Sequence, residues 1–141
     1  MVQYYKTLAS DGKLMKKEFI VYRGCKFTIE WYFDDRGKSL PLEYFEELSF
    51  ARKKKLWHLL RILGDLGKLL NEEKFRYEGD QVYALKPHPD RFLCFFFEGS
   101  KIIITNAYEK KTAKMPVQEK RKALQAKAEY IERISKGEYY D

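Results

Sequence analysis

Phe92-Leu-Cys-Phe-Phe-Phe97 and Ile102-Ile-Ile-Thr105, joined by Glu98-Gly99-Ser100, decide the fold of this chain. Two short apolar runs separated by a turn with Gly at its centre form a β-hairpin. The pattern predicts strands over about 91–98 and 101–108. Cys94 lies inside the first run and reads as a small core residue. Beyond the second run, Asn106-Ala-Tyr-Glu-Lys-Lys-Thr112 leads through Lys114-Met115-Pro116 into a basic helix, predicted from Pro116 to about Ser135. The hairpin therefore empties into a tyrosine, a lysine pair and a proline-started helix. That sequence places a positive, phenol-bearing edge on a rigid apolar sheet. Leu124, Ala128, Ile131 and Ile134 are expected to form the buried side of the helix.

Upstream, residues 81–86 give a third strand in the same half, and Leu69 to Gly79 reads as polar and irregular. Two earlier strands are expected at about 18–22 and 26–33, with Arg23-Gly24 as a turn or bulge between them. In the second, Phe27, Ile29 and Trp31 alternate with Thr28, Glu30 and Tyr32. Asp34-Asp35-Arg36-Gly37-Lys38 is a loop, after which Ser39 caps a helix over about 41–48 with Pro41 just inside it. A second helix is expected over about 50–66. Leu56, Leu59, Leu60, Leu63 and Leu66 form its apolar stripe, and Gly64 and Gly67 weaken and stop its end. The short connection makes an α-hairpin. The expected fold is α+β: an antiparallel twisted sheet with an N-terminal α-hairpin and a C-terminal helix packed on it. Residues 1–14 read as an N-terminal extension, with Ser10-Asp11-Gly12 as a turn signal, and 15–141 as a single domain.

The composition bounds the chemistry. The chain has 141 residues, 45% hydrophobic and 16% aromatic, enough for one packed core and too apolar for wholesale disorder. Its 28 Lys and Arg exceed its 21 Asp and Glu, giving a net charge of +7 that favours anionic partners. The two cysteines, Cys25 and Cys94, have neither CxxC spacing nor histidine company, so no zinc site and no cofactor are expected. Reduced thiols suit a cytoplasmic setting. No stretch is long and apolar enough to span a bilayer, and the N-terminus lacks a signal-peptide core.

With only His58 and His88 present, and no Ser/His/Asp or glycine-rich phosphate motif, the available reagents are Lys, Arg and Tyr. That set suits cleavage of RNA by its own 2′-hydroxyl, which needs a base, an acid for the leaving 5′-oxygen and positive charge on the developing phosphorane. Three groups qualify. On the second helix, Lys54, His58 and Arg61 fall within roughly 60° of one another at about 100° per residue, and Lys53 adjoins them. On the sheet, Lys86 ends one strand and Arg91 opens the next across the stiff Pro87-His88-Pro89-Asp90 loop. After the hairpin come Tyr108, Lys110, Lys111 and Lys114. Each group has a plainer reading beside the functional one. Charged helix faces are usually just solvated, Lys86 and Arg91 can pair with Glu78, Asp80 or Asp90, and a strand tyrosine is commonly half-buried core.

These residues also carry a resemblance. Ser39-Leu-Pro-Leu-Glu-Tyr-Phe-Glu-Glu-Leu48 resembles the S-x-P-x-x-x-F/L-x-x-L helix entry of RelE/HigB-type toxins, and most closely their phage-derived HigB-like branch. Val82-Tyr-Ala-Leu-Lys86 is similar to its L-Y-E-L-R/K strand, and Arg91 through Phe97 to R-x-x-x-F-F-F. Asn106 through Pro116 resembles H-G-F-x-K-K-T-x-K-T-P, with Asn106 where the motif has His and Tyr108 where it has Phe. The resemblance spans about 18–135 and implies a RelE-like fold. It implies the toxin of a type II toxin–antitoxin pair, within the RelE/ParE superfamily: a metal-independent, ribosome-dependent mRNA endonuclease that inhibits translation. The implied partners are a cognate antitoxin, expected to be a helix-turn-helix protein, and mRNA on the ribosome. On that reading Lys54, Arg61, Lys86, Arg91 and Tyr108 are catalytic, while Lys53, His58, Lys110, Lys111 and Lys114 bind RNA. Within the same resemblance, the alternatives are a ParE-like topoisomerase inhibitor and an inactive antitoxin-binding relic.

Overall fold

The computed structural model describes residues 4–8, 14–67 and 71–140. Eight strands and three helices follow one another among them. Strands β1 (Tyr4–Leu8) and β2 (Leu14–Glu18) pair antiparallel in a two-stranded ladder of their own. Strand structure thus begins inside the segment read as an extension. The turn signal at 10–12 lies outside the described residues.

The main sheet has six strands: β3 (Ile20–Arg23), β4 (Thr28–Trp31), β5 (Phe75–Tyr77), β6 (Tyr83–Leu85), β7 (Asp90–Phe97) and β8 (Lys101–Glu109). Their spatial order is β3-β4-β8-β7-β6-β5. The β7–β8 hairpin forms as its sequence predicts. The all-antiparallel expectation does not hold, because β4 and β8 run parallel, Thr28 beside Lys101 through Trp31 beside Ile104. The reason lies in the route. After β4 the chain passes through two helices and re-enters at the far edge as β5. It then steps back strand by strand until β8 meets β4, so the sheet is mixed. The 69–79 stretch is not wholly irregular, since Phe75–Tyr77 forms the edge strand and Phe75 stacks on Tyr83 at 5.1 Å.

Helix α1 (Leu40–Glu46) is capped by Ser39, whose Oγ accepts from the Leu42 amide at 3.4 Å. Helix α2 (Phe50–Leu66) is capped by Ser49 and closed by Gly67 in the left-handed conformation, φ 79°. The two helices meet through Phe45 and Trp57, whose rings are 5.9 Å apart, but each packs chiefly on the sheet. Helix α1 lies against β8, and α2 lies against β3 and β4. In α2, Leu56, Leu59, Leu60 and Leu63 are buried, while Leu66 is exposed. Gly64 is a contact point, not a stop. A Cβ on Gly24 would lie 2.3 Å from the Gly64 carbonyl carbon, so the β3–β4 turn needs bare backbone to reach the helix. There the Gly64 carbonyl accepts from the Lys26 and Phe27 amides at 2.8 and 2.9 Å. The bulge in this hairpin lies between Ile20 and Tyr22.

Helix α3 (Val117–Ser135) covers the other face of the sheet. Its Tyr130 meets Phe95 and Phe97, whereas Phe92, one strand position out of phase, meets Trp31 and Tyr44 on the α1 side. The fully buried residues of α3 are Ala123, Ala126 and Tyr130; of the predicted stripe, Leu124 and Ile134 pack partly buried on the core, while Ala128 and Ile131 are exposed. Cys94 is buried as predicted, and burial pushes its thiol up to about 12. No helix among the described residues is long and apolar enough to cross a membrane.

Candidate functional site

The open end of the β6–β7–β8 unit is built from cross-strand pairs. Arg91 stands directly opposite Tyr108, and Leu85 opposite Phe92, which sets Lys86 beside Arg91. Arg76 on β5 stands opposite Ala84, two residues before Lys86, so it projects from the same face. Val82, Ala84, Leu93 and Ala123 form a small buried cluster beneath, with Tyr108 and Met115 packed on it. Above that floor is a cavity of about 300 Å³, lined by Arg76, Lys86, Arg91, Tyr108, Lys110 and Lys114. Among the described residues, Glu78 is the one carboxylate in its lining. None of the five cations is salt-bridged among the described residues.

The loops around the cavity are fixed. The Lys110 amide donates to the Pro89 carbonyl at 2.9 Å, and the Lys86 amide to the Lys74 carbonyl at 2.8 Å. Thr112 Oγ1 donates to the Lys114 carbonyl at 2.8 Å. Asp90, fully buried, accepts from Arg52 Nε at 3.0 Å and also from Arg52 Nη2 and the Tyr44 hydroxyl. One carboxylate so ties α1 and α2 to the residue before Arg91. Asp90 is therefore occupied and does not pair with Lys86 or Arg91, and Asp80 is taken by Lys120 at 2.9 Å.

The electrostatics follow from this crowding. Desolvation, then the charges of Arg91 and Arg76, lower the pKa of Lys86 from its ordinary value. Burial raises that of Tyr108, so its phenol stays protonated. A base whose proton is loosened and a phenol that holds its own thus face the same group of cations.

The predicted site residues divide. Lys86, Arg91, Tyr108, Lys110 and Lys114 come together. Lys111 is exposed beside them and does not line the cavity. Lys54 and His58 line a different, larger cavity beyond the 86–90 loop. Lys53 lies over the Phe45 ring at 5.4 Å, in a third hollow. Arg61 sits by Tyr22 and Asp65. The second helix and the sheet do not share one concavity, because α2 packs on the β3–β4 side. Asn106, at the motif's histidine position, is buried and donates from Nδ2 to the Glu119 carbonyl at 3.0 Å and to Glu119 Oε1 at 3.1 Å. It joins β8 to the start of α3 and does not reach the cavity. Arg76 was missed by sequence reasoning. Its signal was the Phe-Arg-Tyr alternation at 75–77, too short to stand out in a polar stretch.

A family model described as phage-derived protein Gp49-like (DUF891) matches residues 43–128, more than half of the chain. The chain belongs to the Gp49-like family. This is a phage-derived, toxin-like family of RelE/HigB type. The match runs from within α1 into α3 and includes every residue lining the basic cavity. A comparison with curated proteins gives no match. Five cations converge on this polar hollow against one carboxylate, Glu78, an excess of positive charge that suits a phosphodiester.

Proposed function

We propose that this Gp49-like protein is the toxin of a type II toxin–antitoxin pair, of the HigB-like branch, and that it cleaves mRNA on the ribosome. The observation that carries this reading is the convergence of Lys86, Arg91, Tyr108, Lys110, Lys114 and Arg76 on one cavity with a single carboxylate. Lys86, its pKa lowered, takes the proton of the RNA 2′-hydroxyl. The 2′-oxygen forms its bond to phosphorus, and the bond from phosphorus to the 5′-oxygen breaks. Arg91 and Arg76 neutralise charge on the phosphorane. Tyr108 gives its proton to the departing 5′-oxygen, leaving a 2′,3′-cyclic phosphate and a 5′-hydroxyl. No water nucleophile enters. Lys110 and Lys114 hold the backbone of the message. Lys54 and Arg61 have no part in this step, and a separate antitoxin protein masks the toxin.

The test is a reconstituted translation reaction with purified protein, read by primer extension. Wild type cuts the translated message and spares the same RNA free in solution. Arg91→Ala and Lys86→Ala each lower cutting by about 10²-fold, with unchanged circular dichroism. Normal cutting by both variants contradicts the assignment.

A further inference from the structure

The open end of the β7–β8 hairpin is fastened from outside the basic cavity. Asp90 and Glu109 pair one rung beyond Arg91 and Tyr108, on the opposite face of the sheet. A single guanidinium from α2 spans that rung. Arg52 Nε and Nη2 donate to the buried Asp90 carboxylate, and Nη2 also donates to Glu109 Oε1 at 3.2 Å. The Tyr44 hydroxyl of α1 donates to the same Asp90 carboxylate. Burial, then that hydrogen bond, raises the pKa of Tyr44, so it stays a donor. On its other side, the Asp90 backbone carbonyl accepts from Arg91 Nη1 at 3.0 Å. Asp90 is thus held by Arg52 through its side chain and holds Arg91 through its backbone. Arg52, Tyr44 and Glu109 lie outside the described lining of the cavity.

We propose that Arg52 is a positioning residue for the basic cavity, acting through Asp90 and Glu109 to hold Arg91 opposite Tyr108 around a phosphate. The geometry selects this role over one in stability alone. A buried ion pair gives little net stability over apolar side chains of the same volume. What it fixes is direction. The planar fork of Arg52 meets two carboxylates at once, which a lysine ammonium on a flexible stem does not reproduce. Those carboxylates sit on the two strands whose adjacent residues are Arg91 and Tyr108. Holding both strand ends sets the spacing of guanidinium and phenol, and a misplacement of about 1 Å at such a centre lowers a rate by about 10²-fold. Helix α2 therefore acts on the cavity from behind the sheet, through Arg52, and not through Lys54 or Arg61. This role rests on the nuclease reading only where cutting is measured; phosphate binding tests it separately.

A double-mutant cycle on the full chain tests it. Arg52→Ala strands a buried charge and endangers the fold, so Arg52→Lys is used, alone and combined with Arg91→Ala. Each protein is assayed for message cutting in reconstituted translation. Each is also titrated with inorganic phosphate, followed on the Tyr108 amide resonance. Arg52→Lys slows cutting by about tenfold and weakens phosphate binding. Glu109→Gln, at an exposed position, does the same to a lesser degree. The double variant matches Arg91→Ala in both assays, because Arg52 acts through Arg91. Tyr140→Phe, which loosens the opposite end of the core, changes neither. A merely structural Arg52 multiplies the two losses, to about 10³-fold in cutting, and that result overturns the proposal. So does phosphate that binds wild type and Arg52→Lys equally, or binds neither. Wild type that binds phosphate with the expected pattern yet cuts no message sinks the nuclease reading and leaves this role standing. Wild type that cuts, with losses that multiply, does the reverse.

Discussion

Lys86 is the side chain whose surroundings say most about the chemistry. It is a cation placed among cations, partly removed from water, with Glu78 the only opposing charge in the lining. Its folded pKa lies below the ordinary value of 10.5. Protonated Lys86 therefore costs the native state stability below its folded pKa. That cost declines as pH rises through the folded pKa and is gone above the ordinary value. Two outcomes follow. Inorganic phosphate at neutral pH offsets the repulsion and raises the melting temperature, and Arg91→Ala reduces that gain; a scan of wild type and variant against phosphate checks it. If neutral Lys86 is the base, cutting increases with pH and levels off below the range of an ordinary lysine. Lys86→Arg, which keeps its charge, loses that rise while still binding phosphate. A pH–rate profile that is the same in both proteins removes Lys86 from the role of base.

At the scale of elements, the hairpin, the span of α2 and its stripe through Leu63 were legible because each is a strong local periodicity. The helix entry at Ser39 was legible from its cap chemistry. What was hidden is how elements meet. The run Ile102-Ile-Ile104 is buried on both faces, as a central strand requires, yet an apolar run does not say whether its neighbour is parallel. The stripe read on α3 holds at Leu124 and Ile134 and fails at Ala128 and Ile131, because small Ala123 and Ala126 give the close approach to the sheet and Tyr130 fills the larger gap. The same limit split the candidate site. Residues of the hairpin and its neighbours were placed together by strand register, but Lys54 and Arg61 depended on where α2 packs. Gly24 and Gly64 set part of that packing. Gly24→Ala forces a Cβ to 2.3 Å from the helix backbone and is expected to destabilise by roughly 1–3 kcal/mol, read by denaturant titration. Unchanged stability there removes the close approach from the account.

At the scale of the whole molecule, both ends of the core are closed by polar devices that the sequence did not advertise. Asp90 binds α1 and α2 to the start of β7. At the opposite end, the segment after α3 returns to the sheet. The Tyr139 hydroxyl accepts from the Phe33 amide at 2.9 Å. The Tyr140 hydroxyl donates to Oε1 of fully buried Glu30 at 2.7 Å, and Lys101 Nζ lies 3.6 Å from Oε2. Burial raises the pKa of both phenols. Tyr140→Phe removes a donor to a buried carboxylate and is expected to cost about 1–3 kcal/mol in equilibrium unfolding. It should leave mRNA cutting intact below the new melting temperature, since the basic cavity lies elsewhere. The +7 net charge is unevenly distributed: one group of cations surrounds a polar hollow and another a more apolar one.

The most direct measurement is the mapping of 5′ ends on translated messages in cells induced to express the wild-type chain or Arg91→Ala. The account predicts growth arrest with new 5′-hydroxyl ends inside open reading frames for wild type, and neither effect for the variant. Growth arrest with intact transcripts, or the same new ends from both proteins, would contradict it.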